Sequence, residues 1–176
     1  MSKSTEMHRA TAPKQLNFTI FVCSTSRYQQ VQKGEKIDDI SGNTIATLLR
    51  KGGHMVLSKK IIADDKIMIE EAVKSVLSSA ELDVAVFCGG TGIAPKDVTI
   101  ETVAPFFEKS LPGFGEIFRR LSYDNMGSAA VMSRAVAGVA KGKVLFCIPG
   151  SPDAARVSVE TLILPEAPHI VRHARE

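Results

Sequence analysis

At 176 residues with 44% hydrophobic content, the chain is long enough to bury one substantial core and too short for two ordinary domains. Its formal charge of +3 comes from interspersed Lys, Arg, Asp and Glu. The basic block and interleaved aromatics of a nucleic-acid binder are missing, so a small anionic ligand suits the balance better.

The polar start from Met1 to Lys14 has no hydrophobic signal core and no apolar stretch reaches a membrane span, so a cytoplasmic, membrane-free protein is expected. Residues 1–15 contain Pro13 and lack periodicity, which predicts a flexible N-terminal tail or an arm on a partner subunit. A single domain is expected over 16–176.

Asn17 to Cys23 is β-branched and aromatic and predicts a strand, with Ser24 to Lys36 as a polar connection containing Gly34. Ile40, Ile45, Leu48 and Leu49 recur at helical spacing over about 41–51 and stop at Gly52-Gly53. His54 to Ile62 reads as a strand, and the helix from Lys66 to Ser79 carries Ile69, Val73, Val76 and Leu77 on one face. Asp83 to Cys88 is a short continuous apolar run. Past Thr99 come a helix, a break at Leu111-Pro112-Gly113, and an amphipathic segment from about Phe114 to Tyr123 with Ile117, Phe118 and Leu121 inward. Val131 to Val139 is compatible with a hairpin, Lys143 to Ile148 is a strand, and Asp153 to Leu164 is a helix before a Pro-interrupted tail. Apolar runs alternating with helices indicate a parallel sheet covered on both faces. The expected fold is α/β, a three-layer α/β/α sandwich with a mostly parallel central sheet.

Cys23, Cys88 and Cys147 each end an apolar run and read as buried small hydrophobes, with a metal or nucleophile role for Cys88 as the alternative. His8, His54, His169 and His173 have no metal-ligand spacing and are expected to be exposed.

Ligands of an open parallel sheet bind beyond the carboxyl ends of its strands, so the residues just after each run are the informative ones. These are Ser24-Thr25-Ser26-Arg27, Ala63-Asp64-Asp65, the stretch Gly89-Gly90-Thr91-Gly92 through Lys96-Asp97, and Pro149-Gly150-Ser151. The glycines permit positive φ and let backbone N–H groups cradle an anion, while Thr91 adds a hydroxyl. The same glycines can be a plain turn, and Asp97 or Asp64 a helix cap. Asp64 together with Asp97 supplies two hard oxygen ligands of the kind that place Mg²⁺ against phosphates. No G-x-G-x-x-G follows the first strand and no G-x-x-x-x-G-K-[ST] occurs, which disfavours a dinucleotide oxidoreductase and a P-loop ATPase. Arg134 beside Ser133 is a possible bidentate phosphate ligand.

An ordered set of motifs then resembles the MogA/MoaB-like molybdopterin adenylyltransferase family. Its carriers are Asp39-Ile-Ser41-Gly42-Asn43, Ile61-Ile-Ala-Asp64-Asp65, Gly89-Gly-Thr-Gly92 with Asp97-Val-Thr99, Leu111-Pro-Gly113-Phe-Gly-Glu116, Ser133-Arg134-Ala-Val-Ala-Gly138, and Pro149-Gly150-Ser151. The Ser133 run looks most like the MoaB branch. The resemblance implies Mg²⁺-dependent adenylyl transfer from ATP to molybdopterin, with Asp64 and Asp97 as the functional acids and metal ligands. Gly89 to Gly92 would form the ligand-binding loop, with Gly113, Glu116, Ser133, Arg134, Pro149, Gly150 and Ser151 as further pocket positions. It also implies a trimer, or a hexamer of two trimers, and a molybdenum insertase as downstream partner. The chain departs from the family where Ser24-Thr25-Ser26-Arg27 stands in a loop that often carries an acid. A non-catalytic molybdopterin-binding or carrier protein is the alternative.

Overall fold

The computed structural model describes residues 12–176, so His8 and most of the expected N-terminal tail lie outside the described residues. Strands β1 (Asn17–Cys23), β3 (Val84–Cys88) and β6 (Lys143–Ile148) are buried along almost their whole length. Side chains alternate between the faces of a strand. Phe18, Ile20 and Val22 therefore pack with Ile45 and Leu49 of helix α2 (Ile40–Lys51), while Phe21 and Cys23 pack with Ile69, Val73 and Val76 of α3 (Lys66–Ser78). Two cores, one on each face, explain why these strands read as continuous apolar runs.

Three further strands, β2 (Met55–Ile62), β4 (Lys109–Ser110) and β5 (Val136–Ala140), complete a sheet ordered β2-β1-β3-β6-β5-β4. The β1–β2, β1–β3 and β3–β6 pairs are parallel, and β5 runs antiparallel to both β6 and β4. The expected mostly parallel sandwich is the observed architecture. Helices α1 (Thr25–Gln32), α4 (Thr99–Val103), α5 (Pro112–Met126), α6 (Pro152–Ser158) and α7 (Leu164–Ala174) join α2 and α3 around it. Among the described residues, no helix is long and apolar enough to cross a membrane.

Several local expectations are corrected. The segment after β1 is not a plain connection but holds α1, started by the Ser24 hydroxyl accepting from Arg27 N at 3.4 Å. This helix buries no residue, so its sequence carries no apolar stripe to read. Val131 to Val139 is not a hairpin: residues 127–132 form a 3₁₀ turn, and the hairpin is β5–β6. Its two-residue turn, Lys141-Gly142, has both φ angles positive (48° and 70°), the geometry that follows strand twist. Ile117 is 52% exposed instead of inward, whereas Phe118 is buried with Leu121 against it. The Pro-interrupted tail is helical, because one wide π turn (Val159–Ile163) precedes Pro165, which sits in the first turn of α7 where its missing N–H is not needed.

His54 is also corrected, since it is buried, with Nδ1 accepting from Leu16 N at 3.2 Å and its ring 5.2 Å from that of Phe18. Burial holds its pKa below the ordinary 6.5. The unfolded chain takes up this proton near 6.5 and the folded chain only at lower pH, so stability falls as pH drops below that value. In His54→Asn, whose side-chain oxygen can accept the same N–H, this part of the loss should vanish from urea-unfolding midpoints compared at neutral and mildly acid pH.

Candidate functional site

The strand register brings the carboxyl ends level: Cys23 pairs with Ile62, Val22 with Cys88, and Cys88 with Ile148. The chain leaves β1 toward β2 on one side, while β3 and β6 lie on the other, so the sheet has a switch point between β1 and β3. A crevice of about 510 Å³ opens there, within the size range of ligand pockets. Its floor is Cys23, Cys88 and the Gly89–Gly92 loop, and its walls include Ser26, Arg27, Asp97, Ser133 and Pro149-Gly150.

The loop is crowded at each of its glycines. Gly89 has φ of +107°, and a Cβ there would stand 2.3 Å from the Cys23 carbonyl oxygen. At Gly90, with φ of +61°, a Cβ would stand 2.3 Å from both Asp64 Oδ1 and Thr99 Oγ1; at Gly92 it would stand 2.6 Å from Asp97 Oδ2. Two carboxylates thus abut one short loop, two residues apart. The loop is pinned at both ends, by Gly89 N donating to Ile148 O and Thr99 N donating to Gly90 O, each at 3.0 Å.

The carboxylates are released from the capping roles that their positions allowed. Asp65, not Asp64, caps α3 by accepting from Met68 N at 3.0 Å. Asp64 Oδ2 accepts from Thr25 N at 3.1 Å, and Asp64 N donates to Thr25 Oγ1 at 3.0 Å, tying the start of α1 to the end of β2. Asp97 Oδ2 accepts from Ala94 N at 2.9 Å, closing the loop on itself, while α4 begins at Thr99, after Val98, without a side-chain cap.

Arg134 is engaged differently from a free phosphate ligand. Its Nε donates to Thr91 O at 2.9 Å, Nη2 to Gly92 O at 2.7 Å, and Nη1 to Glu101 Oε1 at 2.6 Å. The guanidinium clamps the loop by its carbonyls. Glu101 is held below the ordinary carboxylate range, first by its hydrogen bond from Arg134.

The structure gathers Gly89 to Gly92, Asp97, Ser133, Arg134, Pro149 and Gly150 on the crevice, with Asp64 touching the loop from beyond its lining. Ser151 instead caps α6, accepting from Ala154 N at 3.3 Å. Glu116 lines a second cavity with Arg119 and Ala135, and Gly113 lies in the first turn of α5, lining neither. Ser26 and Arg27, which the sequence offers only as part of the strand-end stretch 24–27 with no role of their own, line the crevice from α1. Behind Arg27 stands Asp39, 3% exposed, which accepts from Lys59 Nζ at 2.6 Å and Gly42 N at 3.0 Å. Ser41 Oγ donates to Gly150 O at 2.8 Å and Asn43 Oδ1 accepts from Lys59 at 2.7 Å, so the Asp39–Asn43 motif is a scaffold for the crevice wall. Burial pushes the Cys88 thiol up to about 12, and all three cysteines are buried and free, which favours the small-hydrophobe reading over a nucleophile.

Fold and crevice together define an α/β domain with a strand-end crevice and paired carboxylates against a glycine loop. Residues 19–169 match the family model described as "Probable molybdopterin binding domain". The chain is 41% identical over 175 residues to the molybdopterin adenylyltransferase of Pyrococcus furiosus, covering 97% of this chain and 98% of the relative. It is 38% identical over 174 residues, 98% of each chain, to the molybdenum cofactor biosynthesis protein B of Bacillus subtilis. The solved structure of the tungsten cofactor synthesizing protein MoaB from Pyrococcus furiosus superposes with a TM-score of 0.82 at 40% identity, covering 94% of this chain and 100% of that one. The chain belongs to the molybdopterin-binding domain family of molybdenum and tungsten cofactor biosynthesis proteins.

Gly89→Ala combines a left-handed φ with a collision against backbone, and is expected to lower unfolding free energy by about 2–4 kcal/mol in chemical denaturation.

Proposed function

We propose that the chain transfers the adenylyl group of ATP to molybdopterin, giving adenylylated molybdopterin and pyrophosphate with Mg²⁺ as cofactor. The observation that carries this reading is the convergence of Asp64 and Asp97 on the Gly90–Gly92 loop. The donor set fits the ion: among the described residues, Asp64 Oδ1 and Thr99 Oγ1 are buried oxygens without a hydrogen-bond partner, save the weakly donating Cys23 thiol beside Thr99. Asp64 and Asp97 would hold Mg²⁺ directly or through water. When bound, the ion supplies neutralisation of phosphate charge.

A terminal phosphate oxygen of molybdopterin attacks the α-phosphorus of ATP. The bond from that phosphorus to the bridging oxygen breaks, and its electron pair departs on pyrophosphate. A phosphate oxygen is already nucleophilic, so the protein positions and neutralises and needs no strong base. Backbone N–H groups of Gly90 to Gly92 and the Arg27 side chain hold phosphate oxygens, and Thr91 and Ser133 add hydrogen bonds. Arg134 keeps the loop in place. The name of the Pyrococcus relative supports the same chemistry.

The reading extends to assembly. Ile117, Tyr123, Met126, Val131 and Met132, on α5 and the turn after it, are exposed apolar side chains suited to a subunit contact in a trimer or hexamer. A molybdenum insertase would receive the product.

Incubating the chain with molybdopterin, Mg²⁺ and α-labelled ATP should yield a labelled AMP-pterin adduct. Asp97→Asn and Asp64→Asn should each lower kcat/KM by about 10²–10³, the scale of a lost charge contact in a transition state. Pterin binding with no pyrophosphate released by the unaltered chain would falsify the enzyme reading in favour of a carrier.

A further inference from the structure

Thr99 opens α4 and is 0% exposed. Its backbone N–H is spent on Gly90 O at 3.0 Å, but its hydroxyl oxygen and Asp64 Oδ1 are both buried without a hydrogen-bond partner among the described residues. Buried polar atoms in native proteins are nearly always paired, so two orphans at one place call for an explanation. The absence of a side chain at Gly90 brings them together: the point that a Cβ would occupy there lies 2.3 Å from each oxygen. They therefore stand at most about 4.6 Å apart, a small side-chain movement from the roughly 2.7 Å of a hydrogen bond between oxygens.

The chemistry of the neighbours decides where the hydroxyl proton goes. An ionised carboxylate only accepts, whereas the threonine hydroxyl carries one hydrogen that rotates to suit. The thiol of Cys23, beside Thr99, is a weak acceptor, and burial pushes its pKa up, so it keeps its own proton at neutral pH. The Thr99 proton is thus left for Asp64. The other oxygen of that carboxylate is already braced, since Oδ2 accepts from Thr25 N at 3.1 Å. Holding Oδ1 as well fixes the carboxylate plane against the loop.

We propose that Thr99 is a positioning residue for Asp64, its hydroxyl donating to Oδ1 beside Gly90 and so aiming the carboxylate for Mg²⁺. This rests on the proposed Mg²⁺ role of Asp64 and Asp97, and not on which group is transferred. Hydrogen-bond partners behind a metal-binding side chain typically carry a ten- to hundredfold share of metal affinity. A hydroxyl that only fills space behaves in the opposite way. Replacing an unpaired buried hydroxyl by a methyl of the same shape is neutral or stabilising, and leaves metal binding untouched.

The full chain, stripped with chelator, is titrated with Mn²⁺ alone as the stand-in for Mg²⁺, free Mn²⁺ being read by electron paramagnetic resonance. Thr99→Val should weaken Mn²⁺ binding at least about tenfold and raise the Mg²⁺ concentration needed for half-maximal AMP-pterin formation. Its urea-unfolding midpoint should equal or exceed that of the unaltered chain. Thr99→Ser, which keeps the hydroxyl, should restore both the Mn²⁺ affinity and the Mg²⁺ requirement. Mn²⁺ binding that is absent from the unaltered chain, unchanged in Thr99→Val, or not restored by Thr99→Ser would overturn the positioning role. A loss as large as that in Asp64→Asn would overturn it too, making Thr99 a ligand in its own right. If the unaltered chain forms no AMP-pterin adduct while the Thr99→Val effect on Mn²⁺ persists, the adenylyl-transfer reading fails and the positioning role stands.

Discussion

The level alignment of the β1, β3 and β6 carboxyl ends is the constraint on which the rest of the crevice depends. Cys88 is paired to Val22 on one side and Ile148 on the other, so the chain turns away from the sheet at one height in three adjacent strands. The turns are then forced together: a Cβ at Gly150 would stand 3.1 Å from the Gly89 Cα, and one at Gly89 would stand 2.3 Å from the Cys23 carbonyl. No side chain fits at Gly89, and at Gly150 one fits only if the neighbouring turn gives by a few tenths of an ångström. Glycine at these places is a consequence of strand register, and the cradle at the strand ends follows from the glycines.

Charge is organised in layers around that cradle. Asp39 is almost wholly buried, and an unpaired carboxylate there would be costly; Lys59 and the Gly42 N–H satisfy it, and Arg27 stands 3.9 Å away facing the crevice. Arg134 sits on the opposite wall, but its fork is spent on two carbonyls and Glu101. The two arginines thus divide the labour, one presenting charge and the other holding shape. Asp64 works on both sides at once, since one carboxylate oxygen braces the start of α1 and the other presses on Gly90.

Reading the chain in order succeeded where a segment's pattern reflects its own burial. β3, β6, α2 and α3 bury a face or both faces, and their periodicity shows it. It failed where partners elsewhere decide. α1 buries nothing, so no stripe announced it. His54 looks like an exposed residue ahead of a strand, yet the Leu16 N–H and the Phe18 ring enclose it. Ser133 to Ala135 looks like part of a hairpin, but Arg134 is drawn to the Gly89–Gly92 loop 42 residues earlier. Pro165 and Pro168 look like breakers, yet the first sits in the opening turn of α7 after the π turn and the second lies inside that helix.

What the sequence by itself determined is the layered α/β fold, the strand ends, and the residue types that could meet an anion, because these depend on local periodicity and on chemistry written within a few positions. The family followed from motif order. Only the tertiary structure decided which of those residues meet. It placed Asp64 and Asp97 on one loop, moved Glu116 to a second cavity and Ser151 to a helix cap, turned Arg134 from ligand to clamp, and brought Arg27 to the crevice. The physical reason is that such roles depend on strand register and long-range packing, which bring distant segments within hydrogen-bond reach and leave no mark on the neighbours in sequence.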